Sequence, residues 1–129
     1  MVENTKAELT LILKDLRNNN AGIEGAALIA PDGRLIADDF PADAPREKVA
    51  TVCGALLELG AKTTTALEHG AFRELHLKGA AHATVLYNLK TAVLALRLAA
   101  ETNLGMINLS AQEATEAIRL LLAGEQTAS

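Results

Sequence analysis

The feature of this sequence that most constrains its fold is one long helical segment at residues 46–69, REKVATVCGALLELGAKTTTALEH. At 100° per residue, seven residues, six of them polar, fall on one narrow stripe, and the other side chains cover well over half of the circumference. The stripe contains Glu47, Lys48, Thr51, Ala55, Glu58, Lys62 and Thr65. A surface helix usually needs an apolar arc of only about 100°. This helix is therefore expected to contact two partners, its own sheet and a second surface.

Small residues along one flank of this helix indicate what the second surface is. Ala50, Gly54 and Ala61 lie there, and small side chains allow another backbone to approach closely. We expect a second copy of the same helix at this flank. A helix buried within a single subunit is the alternative that the pattern leaves open.

Composition narrows the class of function. The 129 residues make one domain, residues 1–129, that is long enough to bury a core. A net charge of −4, no tryptophan, one tyrosine and two phenylalanines disfavour binding of nucleic acid, by charge or by stacking. No apolar run approaches the roughly 20 residues of a membrane span, and the charged N-terminus is unlike a signal peptide. With a single cysteine and no internal disulfide, the chain is expected to be soluble and cytoplasmic.

The rest of the chain predicts two more helices and five strands. Residues 6–20 place four apolar residues on one helical face, and residues 103–122 repeat that pattern. A capping box at Ser110 and Glu113 would instead start the last helix at Ala111, but the unbroken apolar phase favours one helix. Residues 25–30 and 35–38 flank the turn Pro31-Asp32-Gly33 as a β-hairpin, and three strands follow at 72–78, 81–89 and 91–100. Gly70 is expected to end the long helix as its C′ residue, and residues 124–129 are expected to be a frayed tail.

Two of these strands predict how the layers are arranged. Residues 72–78 alternate apolar and polar side chains, which suits an edge strand. Residues 91–100 are apolar at nearly every position except Arg97, so this strand should be central and covered on both faces. Helices are therefore expected on both sides of the sheet.

This order of elements, with four stretches of sequence, resembles the roadblock/dynein light chain family, including its bacterial branch of gliding-motility polarity proteins. The stretches are LxxILKDL, GAALIAPDGRLIAD, AVLALRLAAETNLGMINL and AIRLLL. Together with the long alanine-rich helix they span nearly the whole chain, and the hairpin Asp32-Gly33 and the Asn103-Leu104-Gly105 entry into the last helix are its most specific parts. The chain differs from common members at Ala80-Ala81, where Asp-Gly is frequent, and in its polar turn at residues 88–90.

The resemblance implies an α+β, profilin-like fold: a five-stranded antiparallel sheet with the long helix on one face and the two terminal helices on the other. It also implies a homodimer in which the long helices lie side by side and the third strands pair across the two-fold axis. The expected dimer interface consists of Val49, Ala50, Cys53, Gly54, Leu57, Ala61, Leu75 and Leu77. Family members serve as docking platforms for Ras-like GTPases or for motor and membrane-associated complexes.

No catalytic or cofactor-binding motif is present: the sequence lacks GxxxxGK[ST], GxGxxG, HExxH and CxxC. His76 and His82, on neighbouring strands, could approach each other, yet no further metal ligand is evident, so neither metal nor cofactor is expected. Cys53 lies mid-helix in an apolar arc and is interpreted as a core or interface residue rather than a nucleophile. Arg97 is expected to reach an acidic side chain or a helix C-terminus.

Three functional hypotheses follow. The first is a homodimeric, non-enzymatic interaction module that regulates or scaffolds a small Ras-like GTPase, with Thr51, Glu58 and Lys62 as the partner-binding surface. The second is a small-molecule sensor, which requires a cavity of a few hundred Å³ with convergent polar groups. A hydrolase, the third, lacks a credible nucleophile and base.

Overall fold

The structure, a computed structural model, describes residues 3–128 and confirms the predicted order of elements. These elements are α1 (Glu3–Asn18), β1 (Ile23–Ile29), β2 (Leu35–Asp39), α2 (Arg46–Ala66), β3 (Glu74–Lys78), β4 (His82–Asn88), β5 (Val93–Ala99) and α3 (Leu104–Ala128). The five strands form one antiparallel sheet in the order β2-β1-β5-β4-β3. The predicted edge strand, β3, is at an edge, and the predicted central strand, β5, is in the middle.

Helices pack on both faces of the sheet, because β5 sends apolar side chains in both directions. Leu94, Leu96 and Leu98 enter the larger core, which lies beneath α1 and α3. Val93 and Ala95 enter a smaller core beneath α2. The fold is therefore the predicted α+β arrangement, with the long helix on one face and the terminal helices on the other.

Helix α3 is continuous from Leu104, as the apolar phase predicts. Asn103 caps its first turn, because the Asn103 Oδ1 atom accepts hydrogen bonds from the backbone N–H groups of Gly105 and Met106, at 2.9 and 3.4 Å. Ser110 does not start a helix; its hydroxyl donates to Asn20 Oδ1 at the end of α1, at 3.0 Å. The helix continues to Ala128, beyond the predicted end at residue 122, while residue 129 lies outside the described residues. That the last residues fray in solution stays a prediction.

The end of α2 differs from the sequence-based expectation. The backbone N–H of Glu68 donates to Thr65 O at 3.2 Å and that of His69 to Thr64 O at 2.8 Å, which is the Schellman pattern with Glu68 at C′. Glu68 has φ 57°, so a non-glycine residue occupies the left-handed position predicted for Gly70. Gly70 also has a positive φ, of 87°, but it lies in the loop beyond the cap.

Glu68→Gly should raise the free energy of unfolding by up to about 1 kcal/mol, because glycine adopts positive φ without the steric cost of a Cβ atom. Urea unfolding followed by circular dichroism measures the change. Leu67→Gly is the matched control, since Leu67 has φ −94° and glycine there should only destabilise. Stabilisation of both variants, or of neither, would contradict the assignment of Glu68 as the strained cap.

Candidate functional site

Helix α2 covers only part of its face of the sheet and leaves a cleft of about 980 Å³ beside it. We call this the α2 cleft. Val49, Val52 and Leu56 form its helical wall, Ala95 lies in its floor and Leu77 of the edge strand β3 lies on the far side. An apolar concavity of this size is large enough for a drug-sized ligand or for side chains of another protein.

The helical wall continues onto an apolar strip that we call the open flank, composed of the exposed Val52 and Leu59 with the half-buried Leu56 between them. These three residues fall within an arc of about 60°. Val52 is 50% and Leu59 59% exposed, and Leu77 across the cleft is 46% exposed. The over-wide apolar arc in the sequence therefore corresponds to surface that the protein's own sheet does not cover.

Three residues of the expected dimer interface are instead buried within the subunit, which corrects their assignment. Ala50 is fully buried, Cys53 is 5% exposed, and both pack on the sheet. Gly54 is also buried: a Cβ atom there would lie 2.7 Å from the Gly33 Cα atom. The small residues do permit a close backbone approach, but the approaching backbone is the chain's own β1–β2 turn.

The other expected interface residues differ in exposure. Val49, Leu57 and Leu75 are half-buried against the smaller core, whereas Ala61 and Leu77 are exposed. A role in dimerisation for these five stays a prediction. Val52, Leu56 and Leu59 also belong to the apolar arc of the sequence, but the small residues that indicate a close helix contact lie on a different side of that arc, so they do not point to these three.

Arg97 places a charge in the cleft floor, where it meets Glu24. A register shift in β1 between Ile23 and Gly25 places Glu24 beside both Arg97 and His82. The Glu24 Oε1 atom is 3.2 Å from Arg97 Nε and 2.8 Å from His82 Nδ1. Neither contact has hydrogen-bond geometry, since this shielded oxygen has no hydrogen-bond partner among the described residues. Glu24 is thus the expected acidic partner of Arg97, and the two side chains interact through opposite charge at short distance.

The predicted partner-binding residues form an exposed polar surface on the outer side of α2. Thr51, Glu58 and Lys62 are all exposed. Lys62 Nζ is 3.1 Å from Glu58 Oε1, an i,i+4 pair whose side chains are about 70% exposed. Such a pair contributes little to stability. Its charges are therefore available to a partner, and their role in binding stays a prediction.

The histidines do not converge, contrary to the suggestion that His76 and His82 could approach each other. His76 is opposite Val85 in the β3–β4 register and His82 opposite Ala99 in the β4–β5 register, so their side chains are on opposite faces of the sheet. Over the described residues there is no group of three or more His, Cys, Asp or Glu side chains that could hold a metal ion.

Two buried groups with altered pKa values are neutral parts of the core. Burial raises the pKa of the Cys53 thiol, which disfavours the nucleophilic thiolate. Burial, together with the Glu74 carboxylate, raises the pKa of Tyr87 to about 12. The Tyr87 hydroxyl donates to Asn108 Oδ1 at 2.6 Å and so ties β4 to α3.

Across the described part of the chain, no helix has the length and apolar character needed to cross a membrane. The fold and the open flank together define the class of protein: a small α+β interaction domain. A match of residues 9–98 to the Roadblock/LC7 domain model identifies the particular family. The chain belongs to the Roadblock/LC7 domain family.

Similar proteins agree with this assignment. An uncharacterized protein of Methanocaldococcus jannaschii, MJ1340, is 24% identical over 104 residues, which cover 81% of this chain and 91% of that protein. Myxococcus xanthus MglB superposes with a TM-score of 0.84 at 15% identity, covering 95% and 94% of the two chains. A structure described as MglB with tetrameric arrangement gives 0.83 at 18% identity, covering 94% and 92%. Profilin II of Acanthamoeba castellanii gives 0.63 at 16% identity, covering 90% and 98%. These structural similarities show a shared roadblock and profilin-like fold.

Proposed function

We propose that this protein is a homodimeric interaction module that regulates or scaffolds a small Ras-like GTPase and supplies no catalytic chemistry of its own. The observation that carries the proposal is the open flank of α2, whose Val52 and Leu59 side chains are at least half exposed beside the α2 cleft. Exposed apolar surface of this kind marks interaction sites in soluble proteins. Membership in the roadblock family, whose members dock Ras-like GTPases, supports the choice of partner.

The proposed occupant of the open flank and the α2 cleft is α2 of a second copy. An isologous contact around a two-fold axis would cover the same flank in both subunits. The self-association named in the description of a similar MglB structure supports this choice. The two exposed polar surfaces, each with Thr51, Glu58 and Lys62, would then lie side by side as the surface that docks the GTPase.

The placement of three of the six arginines favours docking over direct participation in GTP hydrolysis. GTPase activators that act catalytically insert an arginine, which contributes about 10³–10⁵ in rate. Arg17 and Arg46 are held by Asp39 and Asp38, at 3.3 and 3.1 Å. Arg97 lies beside Glu24 in the cleft floor. We therefore propose that the dimer stabilises the GTPase's own switch regions.

The proposal is tested with small Ras-like GTPases of the source organism, loaded with GDP or with a non-hydrolysable GTP analogue. Calorimetry should show binding of the analogue-loaded form, and single-turnover assays with GTP itself should show an altered hydrolysis rate. The mass of the free protein by light scattering should be that of a dimer. Binding to none of these GTPases would contradict the functional proposal, and a monomer at micromolar concentration would contradict the dimer.

Glu58→Lys combined with Lys62→Glu should abolish GTPase binding while the protein stays folded. The exchange keeps an oppositely charged i,i+4 pair on the helix, so its cost to stability is small. It reverses the charge pattern that a partner meets, and like charges facing each other across an interface cost several kcal/mol. Lys14→Glu, on the exposed surface of α1, is the control and should bind as the wild type does. If the variant with both exchanges binds the GTPase with unchanged affinity, the GTPase docks on a different surface of the protein.

A small-molecule sensor is the second candidate, and the α2 cleft is the observation that favours it. The cleft exceeds the few hundred Å³ that this hypothesis requires, and Arg97 and Glu24 provide polar groups in it. The two candidates differ in what fills the cleft. A ligand that binds monomer and dimer equally well would be incompatible with α2 of a second copy as the occupant.

A further inference from the structure

A second apolar surface lies on the outer side of α3, which faces away from the sheet. Met106, Leu109 and Leu120 are 65%, 67% and 65% exposed there. With the exposed Glu113 and Glu116 they recur at alternating intervals of three and four residues. The five positions lie within an arc of about 80°, which is the a/d spacing of a coiled-coil seam. We call these five residues the α3 seam.

The seam is separate from the side of α3 that holds the fold together. Ile107, Ala111 and Ile118 pack into the larger core on the opposite side of the helix. Single exposed apolar residues are common on protein surfaces. Three large ones at regular seam positions over almost four helical turns are typical of a helix that packs against another helix.

The two glutamates in the middle of the seam decide what can pack there. Within residues 4–124, whose side chains are described, neither Glu113 nor Glu116 forms a salt bridge. A second copy of α3 would bring these glutamates against glutamates in a parallel arrangement, and equally in an antiparallel one centred on the seam. Like charges at these positions destabilise helix pairs. Anionic lipid is disfavoured by the same charges.

We infer that the α3 seam docks an amphipathic helix of a protein partner, with lysine or arginine at its two central seam positions and apolar residues at both ends. Apolar ends would contact Met106, Leu109 and Leu120, and the central cations would face Glu113 and Glu116. Charged residues within an otherwise apolar seam select the partner and fix its register. The inference is independent of the α2 cleft and of a GTPase partner.

The test uses three synthetic helical peptides of about three heptads that differ only at the two central seam positions, which are Lys, Leu or Glu. The wild-type protein should bind the Lys peptide at least about tenfold more tightly than the Glu peptide, and added salt should weaken the preference. Glu113→Lys with Glu116→Lys should reverse the order. Leu109→Ala with Leu120→Ala should weaken binding of all three peptides.

The matched control is Glu8→Lys with Asp15→Lys, which makes the same change in net charge at exposed positions of α1 and should keep the wild-type order of peptides. Circular dichroism verifies that the variants are folded, as expected for changes at exposed positions. Equal binding of the Lys and Glu peptides, or an order that Glu113→Lys with Glu116→Lys leaves unchanged, would overturn the inference.

Light scattering provides a second measurement that needs no peptide. Glu113→Leu with Glu116→Leu should associate further than the wild type, because an apolar seam without the charge repulsion can pair with itself. If Leu109→Glu instead lowers the mass of the wild-type assembly, the seam is a contact between copies of this chain, and the inferred helical partner is wrong.

Discussion

Val52→Glu combined with Leu59→Glu should convert the proposed homodimer into a folded monomer. Both side chains belong to the open flank and are at least half exposed in the single subunit. In a dimer they would be buried against the second copy, where truncation of a central apolar residue alone often costs about 2 kcal/mol or more. Two buried, unpaired carboxylates should raise the dissociation constant by at least about a thousandfold. Light scattering over a range of protein concentrations measures the change.

Leu11→Glu is the matched control for this experiment. Leu11 lies on α1, on the other side of the sheet, and is 57% exposed, close to the 59% of Leu59. It should leave the dimer intact, and none of the three substitutions should change the free energy of unfolding of the monomer by more than about 0.5 kcal/mol. A variant with both glutamates that still dimerises at micromolar concentration would show that the open flank is not the interface.

Gly54→Ala should lower the free energy of unfolding by roughly 1–3 kcal/mol, the usual cost of overpacking. The added Cβ atom would lie 2.7 Å from Gly33 Cα and 2.9 Å from Gly33 N. Both are backbone atoms, so no side-chain rotation relieves the contact; the β1–β2 turn or α2 itself must move. The sequence alone suggested that this position faces a second copy of the helix, whereas the structure places the effect of a larger residue on folding. Urea unfolding measures it.

Gly124→Ala is the control, because the same substitution in α3 should have the opposite sign. Apart from its chain neighbours and its own helix backbone, a Cβ atom at Gly124 meets no atom of the described residues within 4 Å. Only helix propensity therefore changes, by up to about 1 kcal/mol in favour of alanine. If Gly54→Ala also stabilises the protein, the close approach of α2 to Gly33 is wrong. In that case Gly54 would instead lie at the contact with a second copy of α2, as the sequence suggested.

Local patterns predicted most of the elements, because each rests on interactions between near neighbours in the chain. The helical periods predicted α1, α2 and α3, and the turn Pro31-Asp32-Gly33 predicted the β1–β2 hairpin. Gly33 has φ 88° there, the positive φ that its turn requires. Element ends were predicted less well. At the end of α2, the Schellman hydrogen bonds outweigh the preference for glycine, so Glu68 takes the position that Gly70 was expected to fill.

The candidate site was predicted only in part. Helical spacing correctly indicated that α2 has more apolar surface than one sheet can cover. The charge of Arg97 in an otherwise apolar strand correctly predicted an acidic partner. Which side of the arc stays open depends on the rotation of α2 about its axis. That rotation is set by contacts of Ala50, Cys53 and Gly54 with strands and a turn elsewhere in the chain.

By itself, the sequence determined the order of the elements, the central place of β5 and the excess of apolar surface on α2, since these follow from periodicity and turn chemistry. The class of fold followed from the resemblance of its motifs to a known family. Only the tertiary structure decided which surfaces stay uncovered: Val52 and Leu59 of the open flank, and the α3 seam. It also brought Glu24 to Arg97, across a bulge that no local pattern indicates. The physical reason is that exposure depends on how rigid elements pack against distant parts of the chain, whereas secondary structure depends largely on neighbours within a few residues.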